Sequence, residues 1–189
     1  MSETTLALGV EAVGLAAFDA GIKGAFGYPG TPSTEGFEFV EAVIKQEGEG
    51  SRVAHWAANE KVAYDLALGM SYTGFRSLVT MKHVGLNVAM DAFANSALTG
   101  VQGGLVLLVA DDPGMHSSQN EQDSRRLAEF AWLPCLEPST VQEAYDFTLR
   151  AFALSETLQV PVMLRMVTRL AHCRPPSTAS PPSRPPAWA

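Results

Sequence analysis

Leu105-Val106-Leu107-Leu108-Val109-Ala110 is an unbroken apolar run that passes directly into Asp111-Asp112-Pro113-Gly114. A strand with one wet face alternates apolar and polar side chains. One without alternation is covered on both faces, which is the habit of a parallel sheet between two layers of helices. Working outward, the same alternation of short apolar runs and helical periodicity recurs on both sides. Upstream, Leu6 to Phe18 has helical spacing and stops at Gly21, Ala25 to Tyr28 reads as a strand, and a helix follows from Thr31 with Phe37, Val40 and Ile44 on one side. Val53 to Trp56 and Ser77 to Thr80 read as strands, with helices at Glu60 to Met70 and Leu86 to Leu98. Downstream come a helix from Ser124 to Trp132, a short strand from Leu133 to Leu136, a helix from Val141 to Leu158 and a strand from Val162 to Met166. Strand–helix alternation implies an α/β fold of three layers, a mostly parallel sheet with helices on both faces. Right-handed crossovers then bring all strand C-termini to one edge, where ligands of such sheets bind.

Composition narrows the class. With 189 residues, 47% of them hydrophobic, the chain can bury the core of one domain. The formal charge of -7 and the lack of a Lys/Arg cluster speak against nucleic acid. No apolar run is long enough to cross a bilayer, and the N-terminal stretch, read as an amphipathic helix, lacks a basic start, so a cytoplasmic protein is expected. Half of the 12 prolines fall in Arg174 to Ala189, RPPSTASPPSRPPAWA. The expected organisation is one domain over 1–173 and a disordered tail or linker over 174–189. Cys135 and Cys173 form no Cys-x-x-Cys pair, so this chain alone holds no four-cysteine cluster.

Four strand-end loops concentrate the chemistry. In Gly27-Tyr28-Pro29-Gly30-Thr31-Pro32-Ser33, Thr31 suits a helix N-cap and Pro32 the first helical position, which alone would account for both. Alternatively, the free N–H groups of that helix end and the Thr31 hydroxyl would take a substrate carboxylate. In Trp56-Ala57-Ala58-Asn59-Glu60-Lys61, Asn59 can cap a helix and Glu60 suits its first turn, or Glu60 faces a ligand nitrogen. In Met81 to Asn87, Lys82 and His83 beside a Gly-containing turn either bind an anion and shuttle protons or form an exposed polar turn. Asp111 to Asp123 is a long polar loop. It is either solvated or a pocket wall, and its two leading Asp residues resemble metal ligands only weakly. His55 and His172 read as structural or exposed, and Phe37, Phe39, Phe93 and Phe130 as helical core. The dinucleotide glycine motif, the Walker A loop and the Gly-x-Ser-x-Gly elbow are absent.

Taken together, Gly27 to Ser33, Asn59-Glu60-Lys61-Val62-Ala63, Val79 to Asn87 and Val109 to Arg125 resemble, in order and spacing, the alpha subunit of indolepyruvate ferredoxin oxidoreductase, over roughly residues 5 to 174. The resemblance implies the pyrimidine-binding domain of a thiamine-diphosphate enzyme, in which a second domain holds the diphosphate through Mg2+. It places Glu60 against N1′ of the aminopyrimidine, where a carboxylate favours the imino tautomer that accepts the thiazolium C2 proton. It places Thr31 near the substrate carboxylate, with Pro29, Gly30, Lys82, His83 and Asn87 around cofactor and substrate, and His116, Gln119 and Asn120 in the pocket without separate roles. The implied reaction is oxidative decarboxylation of a 2-oxoacid, indolepyruvate or another aryl pyruvate, to an acyl-coenzyme A with electrons passing to ferredoxin. The implied partners are a diphosphate-binding domain or subunit, a beta-type subunit, and iron–sulfur clusters carried elsewhere, in a homo- or hetero-oligomer.

The family's Gly-Asp-Gly…Asn motif and its cysteine-rich segment do not occur in these 189 residues, so a half-site completed by another chain, or a truncated product, is expected. Two other readings remain: the small chain of a split thiamine-diphosphate decarboxylase, and a non-catalytic dimerisation domain.

Overall fold

The computed structural model describes residues 7–174 apart from 48, 49 and 51, so the expected tail lies outside the described residues except for Arg174. Strands β1 (Gly24–Gly27), β2 (Val53–Trp56), β3 (Ser77–Lys82), β4 (Leu105–Asp111), β5 (Cys135–Leu136) and β6 (Val162–Val167) form one sheet in the order β2-β1-β3-β4-β6-β5. Every pairing is parallel. The connecting helices are α1 (Gly9–Asp19), α2 (Thr34–Glu47), α3 (Glu60–Tyr72), α4 (His83–Thr99), α5 (Arg125–Ala131), α6 (Val141–Leu158) and the short α7 (Thr168–Ala171).

The apolar run that suggested this fold serves two cores. Val106 and Leu108 belong to the cluster under α1, α2 and α6, whereas Leu105, Leu107 and Val109 belong to the cluster under α3, α4 and α5. Successive side chains of a strand point to opposite faces, so a strand feeding two cores has no polar position to spare. All seven residues of β4 are buried.

Several expectations need correction. The buried side of the first helix is wider than an amphipathic reading implies: Val10, Ala12, Val13, Ala16 and Ala17 are all fully buried, because α1 lies against both α2 and α6, and Glu11, Leu15 and Phe18 form the narrower, partly exposed side. α2 begins at Thr34, not Thr31. Ser33 folds back on Gly30, its N–H and hydroxyl both donating to the Gly30 carbonyl, and the Gly30 N–H donates to the Thr34 hydroxyl. That closed turn leaves Thr31 exposed at its tip. Nor is there a turn between β3 and α4. The strand ends at Lys82, the helix starts at His83, and Gly85 lies within its first turn. Phe130 is not core. It is 71% exposed, since the seven-residue α5 turns Ala128 and Ala131 inward instead. The Asn59 cap of α3 is as expected, with its side chain accepting from the Val62 N–H at 2.9 Å.

Candidate functional site

From β1 the chain crosses to β2 on one side and then returns past β1 to β3 on the other. Such a reversal opens a crevice at the strand C-termini. Its walls are the turn after β1, the start of α3, the β3–α4 junction and the long loop after β4.

Glu60, the first residue of α3, is buried at 8% exposure. Its carboxylate occupies a slot left by Gly85, where a Cβ would sit 2.5 Å from Glu60 Oε1. Among the described residues, no hydrogen bond ends on that carboxylate. Next to it, the β1 turn closes on β3: a Cβ on Gly30 would lie 2.9 Å from Lys82 Cβ. Lys82 is 7% exposed and donates from Nζ to the Ser117 carbonyl at 2.7 Å. His83 is wholly buried. Its Nε2 donates to the backbone carbonyl and side-chain oxygen of Asn120, at 3.2 and 2.9 Å, while Nδ1 is buried without a partner. The reading of Lys82 and His83 as an exposed turn is thereby excluded.

The loop after β4 is exposed over much of its length, Pro113 to Ser117 included, but it is tied down along one side. Gln122 donates to the His83 carbonyl, and its amide exchanges hydrogen bonds with Asn87 at 3.0 and 3.1 Å. Asp112 accepts from the Ser117 N–H, the Ser118 hydroxyl and the Thr168 hydroxyl. Burial alone would raise this carboxyl, but hydrogen bonds from Ser118, Ser117 and Thr168, with the nearby Lys82 charge, hold it well below the usual carboxylate range. Asp111 accepts from Ser124 and from Arg165 Nε at 2.8 Å, and Arg165 also pairs with Glu137. The two aspartates therefore fasten the loop. Among the described residues, no group of three His, Cys, Asp or Glu is placed to hold a metal ion. Cys135, half-buried beside this charge cluster, has its thiol pushed up to about 11 by burial, and Cys173 is exposed. No helix of the described residues is long and apolar enough to cross a membrane.

The crevice thus gathers Gly30, Glu60, Lys82, His83 and Asn120. Asn87 is at its rim, exposed but paired with Gln122. Pro29, Thr31, His116 and Gln119 are exposed and are not brought into contact with that group by any hydrogen bond seen here. Sequence reading missed Gly85 and Ser117 as site residues and gave Asp112 no role. The small residue three positions into a helix was a signal for Gly85. Ser117 contributes a backbone carbonyl, which leaves no signal in residue type.

Comparison with known proteins places these features. The family described as pyruvate flavodoxin/ferredoxin oxidoreductase, thiamine diphosphate-binding, matches residues 15–180. Indolepyruvate oxidoreductase subunit IorA of Pyrococcus abyssi is 48% identical over 172 residues, which is 91% of this chain and 26% of that protein. 2-Oxoglutarate synthase subunit KorA of Methanothermobacter thermautotrophicus is 28% identical over 92% of this chain and 47% of its own length. The fold matches 2-oxoglutarate:ferredoxin oxidoreductase from Magnetococcus marinus with a TM-score of 0.80 at 21% identity, covering 90% of this chain and 30% of that one. The chain spans about a quarter of the length of its IorA relative. With a family match over most of its length and the matching parallel three-layer fold, the chain belongs to the thiamine-diphosphate-binding family of the pyruvate flavodoxin/ferredoxin oxidoreductases.

Proposed function

We propose that this chain forms the aminopyrimidine side of the active site in a thiamine-diphosphate-dependent 2-oxoacid:ferredoxin oxidoreductase that acts on indolepyruvate or a related aryl pyruvate. The observation that carries the reading is Glu60: a residue only 8% exposed, packed against Gly85 at the sheet's crevice, whose carboxylate has no hydrogen-bond partner among the described residues and keeps its oxygens open to solvent. A carboxylate held in a crevice by its own packed stem, with no partner from its own chain, is placed for a ligand to engage. A ring nitrogen that carries or shares a proton suits that open carboxylate, and Gly85 leaves the room that the Glu60 side chain takes up. Bound thiamine diphosphate supplies the electron sink for decarboxylation of a 2-oxoacid. Glu60 holds the proton at the pyrimidine N1′. Pro29 and Gly30 form the turn beside the ring, and His83 with Asn87 fix the start of α4 beneath it. Thr31 and Lys82 line the substrate side, with His116, Gln119 and Asn120 on the facing loop.

The remaining parts of the reaction fall to partners: a diphosphate-binding domain or subunit with its Mg2+, a beta-type subunit, iron–sulfur clusters, ferredoxin and coenzyme A, assembled as an oligomer in the cytoplasm. The aryl preference rests on the names of the relatives at about 48% identity, indolepyruvate oxidoreductase subunits. The test is to assemble the chain with its partner and compare wild type with Glu60→Gln for bound thiamine diphosphate and turnover. Turnover should fall by roughly 10²-fold or more. Turnover retained within about threefold would refute the role of Glu60.

A further inference from the structure

Lys82 is a cation in an unusual position. It is 7% exposed, and among the described residues no carboxylate lies within ion-pair distance of it. Its ammonium makes one hydrogen bond, to the neutral carbonyl of Ser117. An ammonium carries three N–H donors, so two are unused. Removing such a charge from water costs several kcal/mol unless a partner compensates it. The buried cation at the neighbouring end of the sheet, Arg165, is compensated by Asp111 and Glu137.

The surroundings hold Lys82 in place without neutralising it by contact. Gly30 packs on its stem. Asp112 influences it from a distance, but the oxygens of Asp112 are taken by Ser117, Ser118 and Thr168. Asp112 therefore acts through Ser117: it fixes that residue by its N–H, and the Ser117 carbonyl fixes the ammonium. The 17-residue α4 begins at the next residue, with no side-chain cap and no acidic residue in its first turn, so its positive end adds to the same potential.

We propose that Lys82 is the residue that binds the carboxylate of the 2-oxoacid, with Asp112 a positioning residue that holds it through Ser117. This assignment rests on the proposed function above and narrows it: the exposed Thr31 hydroxyl carries no charge, whereas Lys82 offers a partly desolvated one. A two-oxygen anion matches the two free N–H donors. A neutral carbonyl compound of the same shape does not.

The test uses the assembled complex, with thiamine diphosphate content measured for every variant. Lys82→Met should raise KM for the 2-oxoacid by roughly 10- to 100-fold, with a smaller change in kcat, as expected for loss of a charge-assisted hydrogen bond. Inhibition by indole-3-acetate should weaken by a similar factor, while inhibition by the neutral indole-3-acetamide stays nearly the same. Lys82→Arg should recover part of the loss, and Asp112→Asn should shift KM the same way but less. If Lys82→Met does not assemble, Lys82→Gln is read by the same acid-to-amide ratio. An unchanged ratio in variants that still hold thiamine diphosphate overturns the assignment and leaves the proposed function standing. Wild-type complex without bound thiamine diphosphate overturns the proposed function itself.

Discussion

Two groups of charge lie along the same edge of one sheet, and they are finished differently. At the β4–β6 end, Arg165 is clasped by Asp111 and Glu137, and Arg125 binds Asp123 and Glu137 beside it. Every charge there has an opposite within reach. At the β1–β3 end, Glu60 has no partner among the described residues, Lys82 has one neutral carbonyl, and His83 keeps an unused nitrogen. Arg165 and Asp111 are as buried as Lys82 and Glu60, while Arg125, Asp123 and Glu137 are partly exposed, so burial alone does not separate structure from function. Completion does: a charge satisfied from within the chain holds the fold, and one left open waits for something outside it.

Breaking the complete cluster should have the largest effect on stability. Arg165→Met leaves Asp111 buried without its cation and should cost about 3–5 kcal/mol, measured by chemical denaturation. A cost below about 1 kcal/mol would mean that the two ends of the edge do not differ as described. An intermediate effect is expected where the open end is tightest. Gly85→Ala drives a methyl group to 2.5 Å from Glu60 Oε1, so it should destabilise by roughly 1–3 kcal/mol and displace Glu60, with loss of bound thiamine diphosphate from the assembled enzyme. The smallest change is expected from Glu60→Gln. Because no native partner is lost, the unfolding free energy should move by less than about 1 kcal/mol, and upward if the desolvation cost of the carboxylate outweighs its favourable place at a helix N-terminus. A large loss of stability in Glu60→Gln would show that the carboxylate is part of the fold after all.

Much of the fold was legible in local pattern. The unbroken run at 105–110 announced a strand between two cores, and Asn59 marked the start of α3. Both are decided by neighbours along the chain. The errors came where distant residues decide. Thr31 has the chemistry of a cap, but the Ser33–Gly30 and Thr34–Gly30 bonds close the turn first and move the helix start to Thr34. Phe130 has helical spacing and an apolar ring, yet the short α5 seats alanines inward. For Lys82 and His83 an exposed polar turn and an anion-binding pair stayed equally open, because nothing near them in sequence reveals that Gly30, Ser117 and Asn120 cover them. Glu60 was legible as a residue to watch, from its place after a capping Asn. Its open carboxylate was not, since absence of a partner is a property of the folded edge alone.

The direct passage from β3 into α4 also limits how this protein can change. Loops elsewhere on the edge can lengthen or shorten while the sheet stays as it is. Between Lys82 and His83 there is no loop to absorb a residue. One residue inserted there would turn the helix by about 100° and carry His83, Gly85 and Asn87 away from Asn120, Glu60 and Gln122 together. Sequence drift at this junction is therefore confined to exchange of side chains, and its length is as fixed as the register of the strand that feeds it.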